Sequence, residues 1–282
     1  MRTVYLIFAA ATIAACLYIL HTFGIAIANV STVPVLLGAV PLAVPRSLLS
    51  VNADAKTSKG VKGGYLTGIM YLAPADASGF NTCKHATAGC RSACLFTAGR
   101  AAIFTAINAS RIARTRLFFD DRYVFFVTLI REIRALIRKA EREELIPCVR
   151  LNGTSDIPWE RIQIPDNEGG NIFDRFPNVQ FYDYTKWPVG SRTVPTNYDL
   201  TFSRAESNED HAIAALHAGQ RIAVVFDTPK GRELPLMWHG HAVIDADTTD
   251  LRFRDPHAVV CGLRAKGDAR SDRSGFVVHT NA

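Results

Sequence analysis

From residue 46 onward, short β-branched and aromatic runs alternate with segments of helical period, and this alternation narrows the fold more than any other feature of the chain. "GYLTGIMYLAP" (residues 64–74) reads as a strand that Pro74 ends. A long stretch with apolar residues at helical spacing follows Arg100, with Asp120 and Asp121 as a break and N-cap between two helices. Further strands are expected at 148–152 and 179–184, then in "YDLTFSRAE", "RIAVVFDTP", "HAVIDADTTD" and "HAVVCGLRAKG". A helix, "SNEDHAIAALHAGQ", should start at the Ser207 cap and stop at Gly219. Strands separated by helical segments pair in parallel, because parallel neighbours need crossover connections. The expected fold is α/β, with six or seven strands in an open or partial parallel (β/α)6-type barrel that forms one domain over residues 46–282.

Residues 1–45 differ in kind. No Lys or Arg falls between Arg2 and Arg46, and no acid precedes Asp54, so residues 3–45 form a hydrophobic N-terminal leader. Three readings stay open: a cleaved signal peptide, a two-span membrane hairpin with the remainder cytoplasmic, and a start codon chosen too early. The main domain is expected in the cytoplasm, tethered to a membrane if the leader is a hairpin.

Only six cysteines occur in 282 residues, too few for a disulfide scaffold, yet Cys83, Cys90 and Cys94 share the loop 78–100. The loop follows the first strand, and in parallel α/β folds such loops carry chemistry. The spacing C-x6-C-x3-C offers three soft ligands to one centre. Three thiolates suit three irons of a [4Fe-4S] cluster whose fourth iron stays open to a small molecule. Zinc is the alternative, with His85 completing a Cys3His set that would make the loop a structural staple. Cys16, Cys148 and Cys261 each sit alone in apolar runs and read as small buried hydrophobes.

Other polar residues gather at strand ends. In "NGTSD", Asn152, Thr154 and Asp156 could hold a cofactor, with Gly153 permitting close backbone approach; a turn capped by Ser155 or Asp156 explains the same residues. Lys186, Arg204 and Glu206 follow the third and fourth strands and are candidates for contact with an anionic substrate, or for surface ion pairs. Lys266 follows the last strand. His239 and His241, alternating on a strand, could share a second metal with a nearby carboxylate. The net charge of +6 is compatible with a nucleic-acid partner, although the helical arginines Arg111, Arg114, Arg116, Arg131, Arg134 and Arg138 also suit a solvated face.

"KTSKGVKGGYLTGIMYLAPADASGFNTCKHATAGCRSACLFTAGR", "RLNGTSDIPWE" and "GLRAKGDAR" are similar to the phage and prophage proteins named after gene product eighty-eight, a resemblance covering about residues 51–276. At a second level the layout resembles radical S-adenosylmethionine enzymes, which have a partial (β/α)6 barrel, a three-cysteine loop after the first strand and a polar glycine-containing motif after the second. Their common spacing is C-x3-C-x2-C, which this loop does not follow. That resemblance implies an enzyme in which the cluster reduces S-adenosylmethionine held by "NGTSD", acting on an unknown small-molecule or macromolecular substrate. The alternative is a zinc-stapled nucleic-acid-binding or structural protein without catalysis.

Overall fold

The computed structural model describes residues 45–52 and 55–280. The leader expectations and Cys16 lie outside the described residues. One nine-stranded, mixed but largely parallel sheet organises them, in the order β1-β2-β3-β4-β5-β6-β9-β8-β7. The strands are β1 (Leu49–Val51), β2 (Tyr65–Met70), β3 (Ile146–Arg150), β4 (Gln180–Thr185), β5 (Tyr198–Ser203), β6 (Ile222–Phe226), β7 (Met237–Trp238), β8 (His241–Asp245) and β9 (Val260–Arg264). β2 through β6 pair in sequence order, all parallel, and β9 and β8 continue the parallel run. Only the edge strands β1 and β7 are antiparallel, and the sheet does not close on itself. The two edges are three and two residues long, which limits the unpaired backbone open to other chains.

All the expected strands are present, and two more lie at the edges. The helices are α1 (Ala55–Lys62), α2 (Ala88–Ser92), α3 (Arg100–Ile103), α4 (Thr105–Asp120), α5 (Arg122–Arg142), α6 (Ile172–Arg175) and α7 (Glu209–His217). Asp121 breaks α4 from α5 as expected, its carboxylate accepting the Val124 amide at 3.0 Å. Ser207 does not cap α7; the cap position is Asn208, whose side chain accepts the Ala205 amide instead. Helical crossovers are also less regular than the alternation suggests: a four-residue helix is the longest between β3 and β4, and β4 reaches β5 with none.

One face of the sheet is dry. Phe125, Leu129, Ile133, Leu136 and Ala140 of α5 recur at helical spacing and are fully or nearly fully buried against β2 and β3. A Cβ on Gly68 would sit 3.1 Å from the Leu136 side chain, so that strand glycine lets the helix lie close. Trp159, wholly buried, stacks with Phe125 and fills the space beyond β3. At roughly 1.5–3 kcal/mol for each large apolar side chain, this layer is the main source of stability. The other face is polar where Arg150, Tyr182, Tyr184 and Thr201 project in register, and the cavity opens on that side.

Candidate functional site

The loops after β2, β3, β4 and β9 converge with the β5 end on a cavity of about 530 Å³. Cys83, Cys90 and Cys94 all line it, together with Asn152 to Asp156, Lys186 and Lys266. Three thiols, none in a disulfide, thus line one space from a single loop.

The loop is held by buried polar contacts. Thr115 of α4 accepts the Ala73 amide at 2.8 Å, and Thr82 donates to the Ala73 carbonyl at 2.6 Å, fixing the chain as it leaves β2. Thr87 caps α2 by accepting the Cys90 amide at 3.1 Å. Glu206 braces this cap from the β5 end: its carboxylate accepts the Thr87 hydroxyl and the Gly89 amide, each at 2.7 Å. A Cβ at position 89 would lie 2.1 Å from the Ser274 hydroxyl and 2.8 Å from the Glu206 carboxyl carbon, so any larger residue must displace these side chains and the brace with them.

The thiols differ in their surroundings. Burial pushes the Cys94 thiol up to about 11 and also raises Cys83, so both are protonated at neutral pH in the metal-free protein. Cys83 donates weakly to the Thr154 carbonyl at 3.9 Å. Arg111, from the helical stretch, turns inward instead of facing solvent: its guanidinium lies over the rings of Tyr71 and Phe96, donates to the Phe96 carbonyl and places positive charge near Cys94.

Much of "NGTSD" serves the fold. The Asn152 side-chain oxygen accepts from Ser155, the Ile157 amide and the Trp159 indole, and its amide group donates to the Ile157 carbonyl. Thr154 donates to the Leu72 carbonyl at 2.5 Å. Gly153 is set by the sheet, since a Cβ there would lie 2.6 Å from the Tyr71 ring and 2.7 Å from the Met70 carbonyl. Asp156 is different. One of its oxygens accepts the Lys186 amide at 2.7 Å, while the other is buried with no hydrogen bond, 3.8 Å from the Arg192 guanidinium. Burial raises this carboxyl, opposed by hydrogen bonds from the Lys186 amide and the Thr185 side chain and by the charge of Arg192.

Lys186 lines the cavity and donates to the Ser203 hydroxyl at 2.8 Å. Arg204 does not line it; the guanidinium pairs with Glu209 and donates to the Gly275 and Phe276 carbonyls. Glu206 is spent on the cysteine helix. His85 packs edge-on against Trp187 with centroids 4.4 Å apart and is not part of the cavity wall. His239 and His241 do not share a face: His239 sits in the β7–β8 turn with φ +46° and meets Glu209, while His241 meets the Ala258 carbonyl. Lys266 pairs with Asp247 at 2.6 Å. Cys148 and Cys261 are fully buried, and burial pushes each thiol up to about 12.

Sequence reasoning missed Arg150 as the cavity partner of Asp250. Arg150, the last residue of β3, pairs with Asp250 at 2.9 Å, and Tyr182 donates to the same carboxylate at 3.2 Å. Burial would raise Asp250, but Arg150 and Lys56 hold it below the ordinary carboxylate range. The available signal was a charged residue ending an otherwise apolar strand.

Among the described residues, no group of three His, Cys, Asp or Glu side chains is arranged to hold a metal ion. A single zinc, with bonds of about 2.3 Å, needs its sulfurs within roughly 4 Å of one another. A four-iron cluster takes one thiolate per iron and spreads its ligands farther apart. The three thiols line the same cavity as Asp156, while His85 packs outside its wall with its Nε2 buried and without a hydrogen bond.

Together these elements define an open parallel α/β protein with a cysteine-lined cavity at the carboxyl ends of its strands. The chain belongs to the gene product 88 family, whose model matches residues 47–280. Neither the curated proteins nor the solved structures contain a match to it.

Proposed function

We propose that the cavity is the active site of an iron-sulfur enzyme of the radical S-adenosylmethionine type, with Cys83, Cys90 and Cys94 as the ligands of a [4Fe-4S] cluster. The observation that carries this reading is that all three thiols line one cavity, which Asp156 also lines. The parallel run β2 to β6, with the loops after β2, β3 and β4 on one cavity, is consistent with it, although β8 and β7 extend the sheet beyond β9.

When bound, such a cluster supplies an electron and one iron free to take a small ligand. The chain's own residues do the rest. Cys83 and Cys94 must lose protons to become ligands, so loading strengthens as pH rises. The Asp156 carboxylate, which lines the cavity, would accept from the ammonium of an amino-acid ligand. Lys186 and Ser203 provide donors beside it. Arg111 would offset negative charge on the thiolate side, and Phe96 and Phe276 give the cavity part of its apolar lining.

The test is reductive cleavage. The anaerobically reconstituted full chain, reduced and mixed with S-adenosylmethionine, should release methionine and a deoxyadenosyl product, and Asp156→Asn should weaken cofactor binding about tenfold or more. No cleavage by a fully loaded protein would refute the reading.

A further inference from the structure

The outward face of α5 carries an unpaired arginine stripe. Arg131, Arg134, Arg138 and Arg142 are exposed and recur at intervals of three, four and four, which places them on one side of the helix together with exposed Tyr123 and Val127. No hydrogen bond or ion pair engages these four guanidinium groups among the described residues. Glu141 is the one acid among the exposed residues of the helix, and Lys139 is already paired with Glu143.

We propose that this face docks on an anionic lipid surface. Charge alone would suit any polyanion; what selects lipid is the place where the chain enters the domain. Glu132, on the flank of this stripe about 100° round the helix from Arg131, accepts the Leu48 and Leu49 amides at 2.7–3.0 Å, and Arg114 donates to the Ser47 carbonyl at 2.8 Å. These contacts clamp residues 47–49 to α4 and α5. Pro45 is therefore within about 10 Å of the clamp, given about 3.5 Å of chain per residue. Immediately before it in sequence come more than forty residues with no charge after Arg2. A strongly apolar segment joined to the domain at a helix with four free arginines and two exposed apolar side chains has the makeup of a lipid-facing surface, where cations meet anionic headgroups.

The test is flotation of the full chain with vesicles, run beside the Arg131→Gln, Arg134→Gln, Arg138→Gln triple variant, whose exposed substitutions should leave the circular-dichroism melt unchanged. Vesicles of phosphatidylcholine with about a third phosphatidylglycerol should capture the wild type about tenfold better than phosphatidylcholine alone, and added salt should erase the difference. The variant should lose that preference while keeping any charge-independent capture. Equal capture of both proteins by anionic vesicles would overturn the proposal. So would tighter binding of the wild type to a duplex oligonucleotide than to the vesicles, with the variant losing it, which would assign the stripe to nucleic acid.

Discussion

Replacing Glu206 with Ala should loosen the cysteine loop without unfolding the domain. Two hydrogen bonds of 2.7 Å, from the Thr87 hydroxyl and the Gly89 amide, end on this carboxylate. Bonds to a charged acceptor contribute about 1.5–3 kcal/mol each, and for a half-buried group the lower end applies, so their joint loss should cost about 3 kcal/mol. That is a large share of the 5–15 kcal/mol typical of a whole domain, but most of it should appear locally, because the Ala73 anchors to Thr82 and Thr115 remain. Amide hydrogen exchange is the direct assay. The Gly89 and Cys90 amides should exchange about a hundredfold faster, since 2.8 kcal/mol is two decades, while α5 amides keep their protection. Unchanged exchange at both positions would refute the bracing role, and uniform acceleration across α5 would show that Glu206 supports the whole fold.

Gly153→Ala should destabilise the protein by about 1–3 kcal/mol in urea unfolding, because the new methyl meets the Tyr71 ring and the Met70 carbonyl. Alkylation of Cys94 in the metal-free protein should be slow at neutral pH and accelerate up to about pH 11, as burial of the thiol requires. Asp183 gives a test of sign: burial pushes its carboxyl up to about 7, against the Arg150 guanidinium and the Asn152 amide. Since the folded value exceeds the unfolded one, its contribution to stability is complete below about pH 4 and is lost as pH rises to about 7. Asp183→Asn should flatten that part of the stability profile, measured by urea unfolding across the range.

The parallel strands were legible because each is a run of β-branched and aromatic residues closed by a turn, as in "RIAVVFDTP", and because their sequential alternation with helices implies parallel pairing. β1 and β7 escaped because two or three residues carry no period, and β7 exists only through the tight turn at His239 and Gly240. That same turn separates His239 from His241, which a continuous strand would have aligned. At the site, Cys83, Cys90, Cys94, Asp156 and Lys186 were legible as reactive groups at strand ends. Side-chain direction was not. Arg204 and Glu206 also follow a strand, but the intervening backbone turns them toward Glu209 and the α2 cap, contacts set by segments distant in sequence. Arg111 reads as one more arginine of a basic helix until tertiary packing places it over Tyr71 and Phe96.

Metal and acid-labile sulfide content of the full chain, purified and reconstituted without oxygen, decides between cluster and staple. About four irons and four sulfides per chain are expected, with the brown absorbance lost in Cys83→Ala, Cys90→Ala and Cys94→Ala alike. One zinc per chain in a colourless protein would contradict the cluster and reduce the cysteine loop to a structural staple.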